Sequence, residues 1–373
     1  MTITPGKPMR RMCAAVLAVV FVAVATAGCP PDFSPYWKID KLRVMAIQAD
    51  PVVAKQGEPV TFSALVWAPD DQQIDYDWSW CPVHPPADDG YECPMDELDF
   101  DPEAESNANN DDEDDDNGDS DEDPLDLGDE ETATFTNPFS EQQVRAFCEA
   151  IVAEVLDETD NEELVEMLPS DCEEGWEVSV RLEVSSGDEE IIASKRFTLW
   201  GGDEDYNKNP EFDRMQARPY APEDLPQFIE VAGWDIAESA DHDDQWVTIP
   251  DDEPLDVVEN SPLQLRSLVD PDSVLEFTPS TADEPREESF DYRWFTTAGP
   301  LASSSSSYFP GSNTLEDASN TVHQMDGQQL DDDCTAFDDG ACIIELWTVV
   351  RDTRLGVDWI DGRLRVQSPG GEQ

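Results

Sequence analysis

The feature that most constrains the fold is a pattern of apolar alternation that occurs twice along the chain. Residues 75–80 read Asp-Tyr-Asp-Trp-Ser-Trp, and residues 291–296 read Asp-Tyr-Arg-Trp-Phe-Thr. Alternating runs precede and follow each copy, at 59–66 and 178–184 for the first and at 263–269 and 343–350 for the second. Alternation at period two, with β-branched and aromatic residues, predicts half-buried strands rather than helices. The sequence therefore predicts an all-β chain with a duplicated module.

Charge restricts the partners that such a chain can have. The 373 residues allow two or three domains of ordinary size, and the duplication favours two. The formal net charge is -66, from 87 acidic and 21 basic residues. Such a surface repels polynucleotides and anionic lipid headgroups, so no nucleic-acid partner is expected. Adaptation to saline water is an alternative explanation of the acidity, because dense carboxylates keep a surface hydrated.

The N-terminus has the pattern of an export signal. Lys7, Arg10 and Arg11 precede an apolar segment, residues 14–25, that is too short for an ordinary membrane span. Residues 25–29, Ala-Thr-Ala-Gly-Cys, resemble the lipobox of bacterial lipoproteins. The resemblance implies that residues 1–28 are removed as a signal peptide and that Cys29 is lipidated and anchors the chain to a membrane. Because Pro30 rather than Asp follows, the resemblance favours the outer membrane, with the protein facing the periplasm or the cell surface. A plain signal peptide or an uncleaved anchor is the alternative.

Export also determines what we expect of the cysteines. Six of the eight remain after Cys13 and Cys29 are set aside, and an oxidising compartment favours disulfides. Proximity in sequence predicts three pairs: Cys81 with Cys93, Cys148 with Cys172, and Cys334 with Cys342. Six cysteines allow about 15 connectivities, so other pairings remain open. Zinc held by Cys81, His84 and Cys93 is a rival interpretation, although no fourth ligand is evident.

A family resemblance appears in the first alternating region. Residues 43–66, RVMAIQADPVVAKQGEPVTFSALV, with YDWSWC at 76–81, resemble the immunoglobulin-like, PKD-type modules of surface lipoproteins from predatory and gliding bacteria. The resemblance implies a turn at 56–59 and a Tyr-x-Trp strand that carries the core tryptophan. The PKD glycine-aspartate signature after that tryptophan is absent, so we expect the broader immunoglobulin-like sandwich. After a tether at 29–40, we expect one sandwich at 41–200, a linker at 201–226 and a second sandwich at 227–368.

The first module carries an insertion, predicted at residues 82–172. Its acidic part, 85–134, is nearly free of aliphatic residues and is therefore predicted to be disordered. Residues 115–123 alternate oxygen ligands around a glycine, as calcium loops do, which makes Asp115, Asn117, Asp119 and Asp121 weak candidate ligands. Pro124 stands where an EF-hand needs its bidentate glutamate. We therefore expect weak calcium binding and neither a folded metal site nor a cofactor.

A helical hairpin is predicted to follow at 139–168. Ser140 and Gln143 form a capping box, and an apolar face then runs from Val144 to Leu156. We expect this face to pack on the sandwich, with binding of a partner as the alternative. Two further strands, separated by a turn at 185–188, are expected to close the module.

No catalytic constellation is visible in the sequence. There are three histidines, and neither a His-Glu-x-x-His nor a Gly-x-Ser-x-Gly motif occurs. His242, between aspartates, is a weak candidate metal ligand, and the serines at 303–307 are a flexible or glycosylated run. The leading hypothesis is therefore a non-catalytic envelope lipoprotein whose sandwiches bind a protein or a glycan. The alternatives are a structural spacer of an envelope or secretion assembly, a calcium-binding surface protein, and an enzyme of unfamiliar type.

Overall fold

The structure is a computed structural model, and it describes residues 35–69, 72–87, 90–93, 125–158, 175–199, 207–219, 246–258, 262–278, 284–323, 333–334, 336–338 and 340–367. Most of the secondary structure in these residues is strand, which confirms the all-β prediction. The first module has the following strands and one helix: β1 Arg43–Asp50, β2 Val53–Ala54, β3 Pro59–Trp67, β4 Asp75–Cys81, β5 Asp126–Gly128, β6 Thr132–Thr136, α1 Glu141–Glu158, β7 Trp176–Ser186 and β8 Glu189–Leu199.

The second module continues the numbering. Its elements are β9 Phe212–Pro219, β10 Val247–Thr248, β11 Leu255–Val258, β12 Leu263–Val269, β13 Glu276–Phe277, β14 Arg286–Glu287, β15 Phe290–Thr296, β16 Ser305–Tyr308, α2 Leu315–Ala318, β17 Asn320–His323, β18 Ala336–Asp338, β19 Ala341–Asp352 and β20 Val357–Gln367. A 3₁₀ turn at Pro271–Ser273 follows β12.

Two sheets form the first module. One has the order β1-β3-β6 and the other the order β2-β8-β7-β4-β5. They face each other through one apolar core, in which Phe62 of β3 contacts Trp78 of β4 and Phe197 of β8, with ring centroids 6.3 and 5.0 Å apart. The indole N–H of Trp78 donates to the carbonyl of Glu130 over 2.9 Å, so the buried ring leaves no unpaired donor.

The second module repeats this pairing order. Its larger sheet runs β11-β20-β19-β15-β16, with β18 paired to β19, and its smaller sheet runs β10-β9-β12-β17. In both modules a short strand lies parallel to the last strand, and the tryptophan strand pairs with the penultimate one. Trp294 and Leu265, from opposite sheets, share one core. The duplication read from the sequence is therefore present in the sheet topology.

Local signals in the first module fold as the sequence predicts. The β7-β8 hairpin turns at residues 187–188, where Gly187 has a φ of 62°, in the left-handed region that glycine enters without a steric penalty. The capping box at α1 is confirmed, because Ser140 N–H donates to Gln143 Oε1 over 2.9 Å and Gln143 N–H donates to Ser140 Oγ over 3.3 Å. Phe139 and Val144 join the first core. The second helix of the predicted hairpin lies outside the described residues.

The prediction of disorder at residues 85–134 was wrong for residues 125–134, whereas residues 94–124 lie outside the described residues. Strand β5 pairs with β4, and β6 pairs with β3 along the edge of the smaller sheet. Thr-Ala-Thr-Phe-Thr at 132–136 alternates strictly, and it places Ala133 and Phe135 in the core. Disorder was predicted because the segment is acidic overall, and this short alternation at residues 132–136 was overlooked. A strand needs only two inward side chains when the partner strand and the facing sheet already exist.

The predicted linker at 201–226 also needs correction. Residues 212–219 form β9, which pairs with β12 over its length and buries Met215 and Ala217. Acidic neighbours and the Asn-Lys-Asn-Pro run suggested a connection, but the alternation at 213–218 is that of a strand. The second module therefore begins before residue 227. The strand predicted at 227–231 lies outside the described residues.

Candidate functional site

Several residues that the sequence singled out lie outside the described residues. These are Cys29 of the lipobox, the weak calcium ligands Asp115, Asn117, Asp119 and Asp121, and His242. Cys172, the predicted partner of Cys148, lies there too, whereas Cys148 is itself disulfide-bonded.

The structure contains two of the predicted disulfides. Cys81 is bonded to Cys93, and Cys334 is bonded to Cys342. The first bond excludes the zinc interpretation, because a sulfur bonded to another sulfur is not a thiolate ligand. His84 instead contacts the ring of Tyr91, and burial lowers the pKa of its imidazole.

Among the described residues, no group of three or more His, Cys, Asp or Glu side chains is arranged to hold a metal ion. His323 is fully buried, and its Nε2 lies 2.8 Å from the carbonyl oxygen of Ala298. Burial lowers the pKa of this imidazole to about 4, so the ring is neutral near pH 7. His323 is therefore a buried structural residue of the second module. No helix in the described part of the chain has the length and apolarity needed to cross a bilayer.

The two modules share an apolar contact, here called the module seam. The described residues from Trp37 onward belong to one compact unit. The seam joins Met45 of β1 and Trp67 of β3 to Trp347 of β19 and Trp359 of β20. Its other members are Ile39, Ala46, Leu65, Phe295, Val349 and Val357. Strands β1 and β19 are consequently buried on both faces, with Leu346 in the second core and Trp347 in the seam.

Hydrogen bonds surround the seam. Trp67 Nε1 donates to Glu345 Oε2 over 2.9 Å, and Arg351 Nη2 donates to the carbonyl of Met45 over 2.9 Å. The amide of Gln48 donates to the carbonyl of Val357 over 2.7 Å. Asn209 donates to the carbonyl of Ala49 over 2.8 Å. Apolar contacts closed by a satisfied polar rim fix the relative orientation of two surfaces.

Residues 37–42 are tied to both modules. Thr296 N–H donates to the carbonyl of Trp37, and Ile39 N–H donates to the carbonyl of Thr296, each over 2.9 Å. Three residues after Ile39, Leu42 N–H donates to Glu189 Oε2 of the first module over 2.8 Å. The predicted tether at 29–40 therefore extends too far, because residues 37–39 are held by the second module.

Lys195 of β8 reaches across the edge of the seam. Its ammonium donates to the carbonyl of Leu355, in the turn between β19 and β20. Burial lowers the pKa of Lys195 to about 8, although the nearby Asp352 carboxylate acts in the opposite direction. Asp352 is held in place by Asn207, whose Nδ2 lies 2.7 Å from Asp352 Oδ2.

The smaller sheet of the second module carries the other notable surface, here called the arginine face. It consists of the outward side chains of β9, β10, β12 and β17 with the residue before β10: Arg214, Gln216, Arg218, Trp246, Thr248, Gln264, Arg266, Leu268, Asn320 and Val322. The guanidinium carbons of Arg218 and Arg266 lie 4.6 and 4.0 Å from the centroid of the Trp246 ring. Three of the chain's 21 basic residues therefore share one sheet face.

Cross-strand hydrogen bonds orient these arginines. Arg218 Nε donates to Gln264 Oε1 over 2.7 Å, and Arg266 Nε donates to Gln216 Oε1 over 2.8 Å. Arg266 Nη1 also pairs with Glu316 of α2. The pKa of the Arg266 guanidinium is lowered by burial and then by the positive charges of Arg218 and Arg214. Arg214 Nη1 pairs with Asp213 Oδ2 over 2.5 Å, so the carboxylates of Asp213 and Glu316 offset part of the positive charge of the face.

Sequence analysis missed both surfaces, although each has a signal in the sequence. Alternation in β9 and β12 places Arg214, Gln216 and Arg218 on one side, and Gln264 and Arg266 on the same side of the neighbouring strand. The pairing of β9 with β12 is what brings them together. The seam has a weaker signal, the near-continuous apolar run at 343–350, because such a run indicates a strand buried on both faces.

Comparisons with known proteins give little further guidance. No known protein family and no curated protein matches the sequence. Among solved structures, the three N-terminal domains of the Highly Immunogenic Outer Capsid protein (Hoc) of bacteriophage RB49 align over 88% of this chain and 70% of that chain. The sequences are 9% identical and the TM-score is 0.19.

Proposed function

We propose that this chain is a non-catalytic lipoprotein of a bacterial envelope, in which two immunoglobulin-like sandwiches act as one rigid unit that binds a protein or a glycan. The N-terminal sequence supports the anchor, through the basic residues, the short apolar segment and the small residues before Cys29. The strand order, repeated in two pairs of facing sheets, supports the immunoglobulin-like assignment, because such sandwiches pack two sheets over one core.

The observation that carries the proposal is the module seam. A catalytic protein needs reactive groups that converge in a cleft, whereas the best-organised feature here is a contact between two sheet faces. The contact fixes one module against the other, so a surface on the second module is held at a defined orientation relative to the first. Rigid presentation of a surface lowers the entropy lost when a partner binds.

The same observation favours a second candidate function, a structural spacer in an envelope or secretion assembly. A spacer needs the rigid seam but no organised binding surface. The two functions differ in whether a component of the envelope is captured, and the binding experiment below measures this.

The anchor is tested by comparing the native chain with Cys29→Ala in a bacterial host. We expect the native protein to incorporate labelled fatty acid and to partition into detergent, and the variant to do neither. Incorporation of label by Cys29→Ala at the native level would refute the anchor.

Binding is tested by capture from detergent-solubilised envelopes on the immobilised mature chain. We expect a specific protein or glycan to be retained, and to be lost when Trp347→Ala disrupts the seam. Retention of nothing above a bare-resin control would favour the spacer.

A further inference from the structure

We propose that residues 37–42, here called the strap, form a latch that locks the two modules together and that tension on the membrane anchor releases. The inference rests on the proposed anchor at Cys29 and adds a conformational device to it. The strap contacts both modules and the seam between them. It is also the first part of the compact unit that a pull on the anchor would load.

The side chains of the strap enter three different apolar clusters. Trp37 packs against the core of the second module, Ile39 lies in the module seam, and Leu42 lies in the core of the first module. Ile39 and Leu42 are each 1% exposed. This short segment therefore bridges the modules, and its withdrawal would remove an apolar side chain from every cluster that fixes their orientation.

Few polar contacts hold the first half of the strap. Lys38 forms a bridge parallel to Thr296, and the residues on either side of Lys38 exchange hydrogen bonds with the backbone of Thr296 over 2.9 Å. The ammonium of Lys38 lies 2.5 Å from Asp333 Oδ1. By contrast, the strand that follows, β1, pairs with β3 along its length. Because regions held by few hydrogen bonds open at a lower free-energy cost than strands of a packed sheet, the strap can release while β1 stays in place.

The position of the strap in the chain determines which force acts on it. Residues 30–36 alone separate Cys29 from Trp37. Such a short connection reaches its full length after a small displacement, since an extended residue spans at most about 3.6 Å. Further displacement of the compact unit from the membrane pulls on Trp37 before it loads either sheet. Tension is therefore delivered to the contacts with Thr296 and Asp333.

Release would act on the seam through Ile39. This side chain shares the seam with Met45 of the first module and Phe295 of the second. A void at its place forfeits dispersion contacts on both sides, so the apolar surfaces of the two modules fit each other less well. The hydrogen bonds of Asn209 and Gln48 between the modules remain. The modules would therefore loosen into several relative orientations without separating.

The first test measures the distance between the modules in the mature chain with its disulfides intact. Two spin labels, carried on non-natural residues at the exposed positions Asp77 of β4 and Arg286 of β14, report the distribution of distances. Lys38→Glu places a carboxylate against Asp333, and Lys38→Glu with Asp333→Lys restores an ion pair of reversed sense. The matched control, Lys41→Glu, makes the same charge change at an exposed position of the strap.

We expect one narrow distribution for the native chain and for Lys41→Glu, and a distribution about twofold broader or more for Lys38→Glu, because an open strap permits several orientations. The reversed pair should restore the narrow distribution. Ile39→Ala, which removes the seam contact and no charge, should also broaden it. Equal widths in Lys38→Glu and Lys41→Glu, whether narrow or broad, would overturn the latch.

The second test applies the tension directly. The mature chain is pulled in a single-molecule instrument through handles attached at Asp32 and Gln373. We expect a short first extension at a lower force than the unfolding of either module, because the strap is held by the fewest contacts. Lys38→Glu should lower the force of this first step and leave the later steps unchanged. A native chain whose first event is the unfolding of a module would overturn release by tension.

The two tests separate this inference from the proposed function. If Cys29→Ala still incorporates fatty acid, the anchor is refuted and the tension has no source, so release by tension is wrong whatever the distances show. If the anchor is confirmed and Lys38→Glu leaves the distances between the modules unchanged, the anchor stands and the latch is wrong.

Discussion

The smaller sheets of the two modules occupy equivalent places in a repeated topology, yet their outer faces have opposite characters. In the first module the outward side chains of β1 and β3 include Met45, Leu65 and Trp67, and the second module covers them. In the second module the outward side chains of β9 and β12 include Arg218, Gln264 and Arg266. The comparison teaches that duplication preserved the inward pattern that forms each core and left the outward pattern free to diverge.

The inward pattern is conserved between the modules for a physical reason. Each core tryptophan, Trp78 or Trp294, is at most 1% exposed and needs an apolar sheet opposite it. Burial of a side chain of this size contributes several kcal/mol, so few substitutions are tolerated. An outward position has no such requirement until another surface covers it. The second module covers the outward face of the smaller sheet in the first module. The equivalent face of the second module carries hydrogen-bonded polar side chains.

The largest expected difference between the two faces is in their tryptophans. Trp347→Ala should lower the free energy of unfolding by about 3–5 kcal/mol, because it opens a cavity in the seam. Trp246→Ala should cost about 1 kcal/mol or less, since it removes stacking at a partly exposed site. Chemical denaturation of the disulfide-intact chain measures both. Equal losses in the two variants would show that the arginine face is as structural as the seam.

The next effect is a pH dependence at the edge of the seam. The folded pKa of Lys195 is about 8, below the ordinary 10.5, so between these values the unfolded chain binds more protons than the folded chain. Stability contributed by this group should therefore rise as pH increases through that window, by about 3 kcal/mol in total.

The control for Lys195 is Lys195→Met, which has a side chain of similar length and no amine. The difference in unfolding free energy between the native chain and the variant should grow in favour of the native chain from pH 8 to pH 10.5. A constant difference across that range would place Lys195 in solvent, away from the carbonyl of Leu355.

A smaller effect is expected from the polar rim. Trp67→Phe keeps an aromatic ring in the seam and removes the N–H that donates to Glu345, and it should cost about 1 kcal/mol. Glu345→Gln keeps an acceptor for the indole and should cost less. If Trp67→Phe costs as much as Trp347→Ala, the rim contributes to the contact as strongly as its apolar centre.

The smallest effect is expected on the arginine face. Arg218→Gln should change the free energy of unfolding by less than about 0.5 kcal/mol, because partly exposed charged pairs contribute little to stability. The same thermal or chemical melts detect it. A loss above about 2 kcal/mol would indicate that Arg218 holds the sheet together.

Particular elements show how far sequence reasoning reached. Hairpin β7-β8, helix α1 with its Ser140 cap, and the two tryptophan strands were predicted because their signals are local. Strands β5, β6 and β9 were missed because each is short or lies in acidic sequence, and each is stabilised by a partner strand far away in the chain. Pairing with these distant strands stabilises the three strands, although their local sequence does not predict them.

The sequence by itself determined the all-β class, the duplicated module and the two local disulfides, because alternation, turn residues and close cysteine spacing act over a few residues. Tertiary structure alone decided which outward face would be covered and which would collect arginines. Trp67 belongs to the first module and Trp347 to the second, so they meet only when the modules pack together. Arg218 and Arg266 come together only through the pairing of β9 with β12. Contacts between distant strands depend on the whole packed arrangement, and no local pattern encodes them.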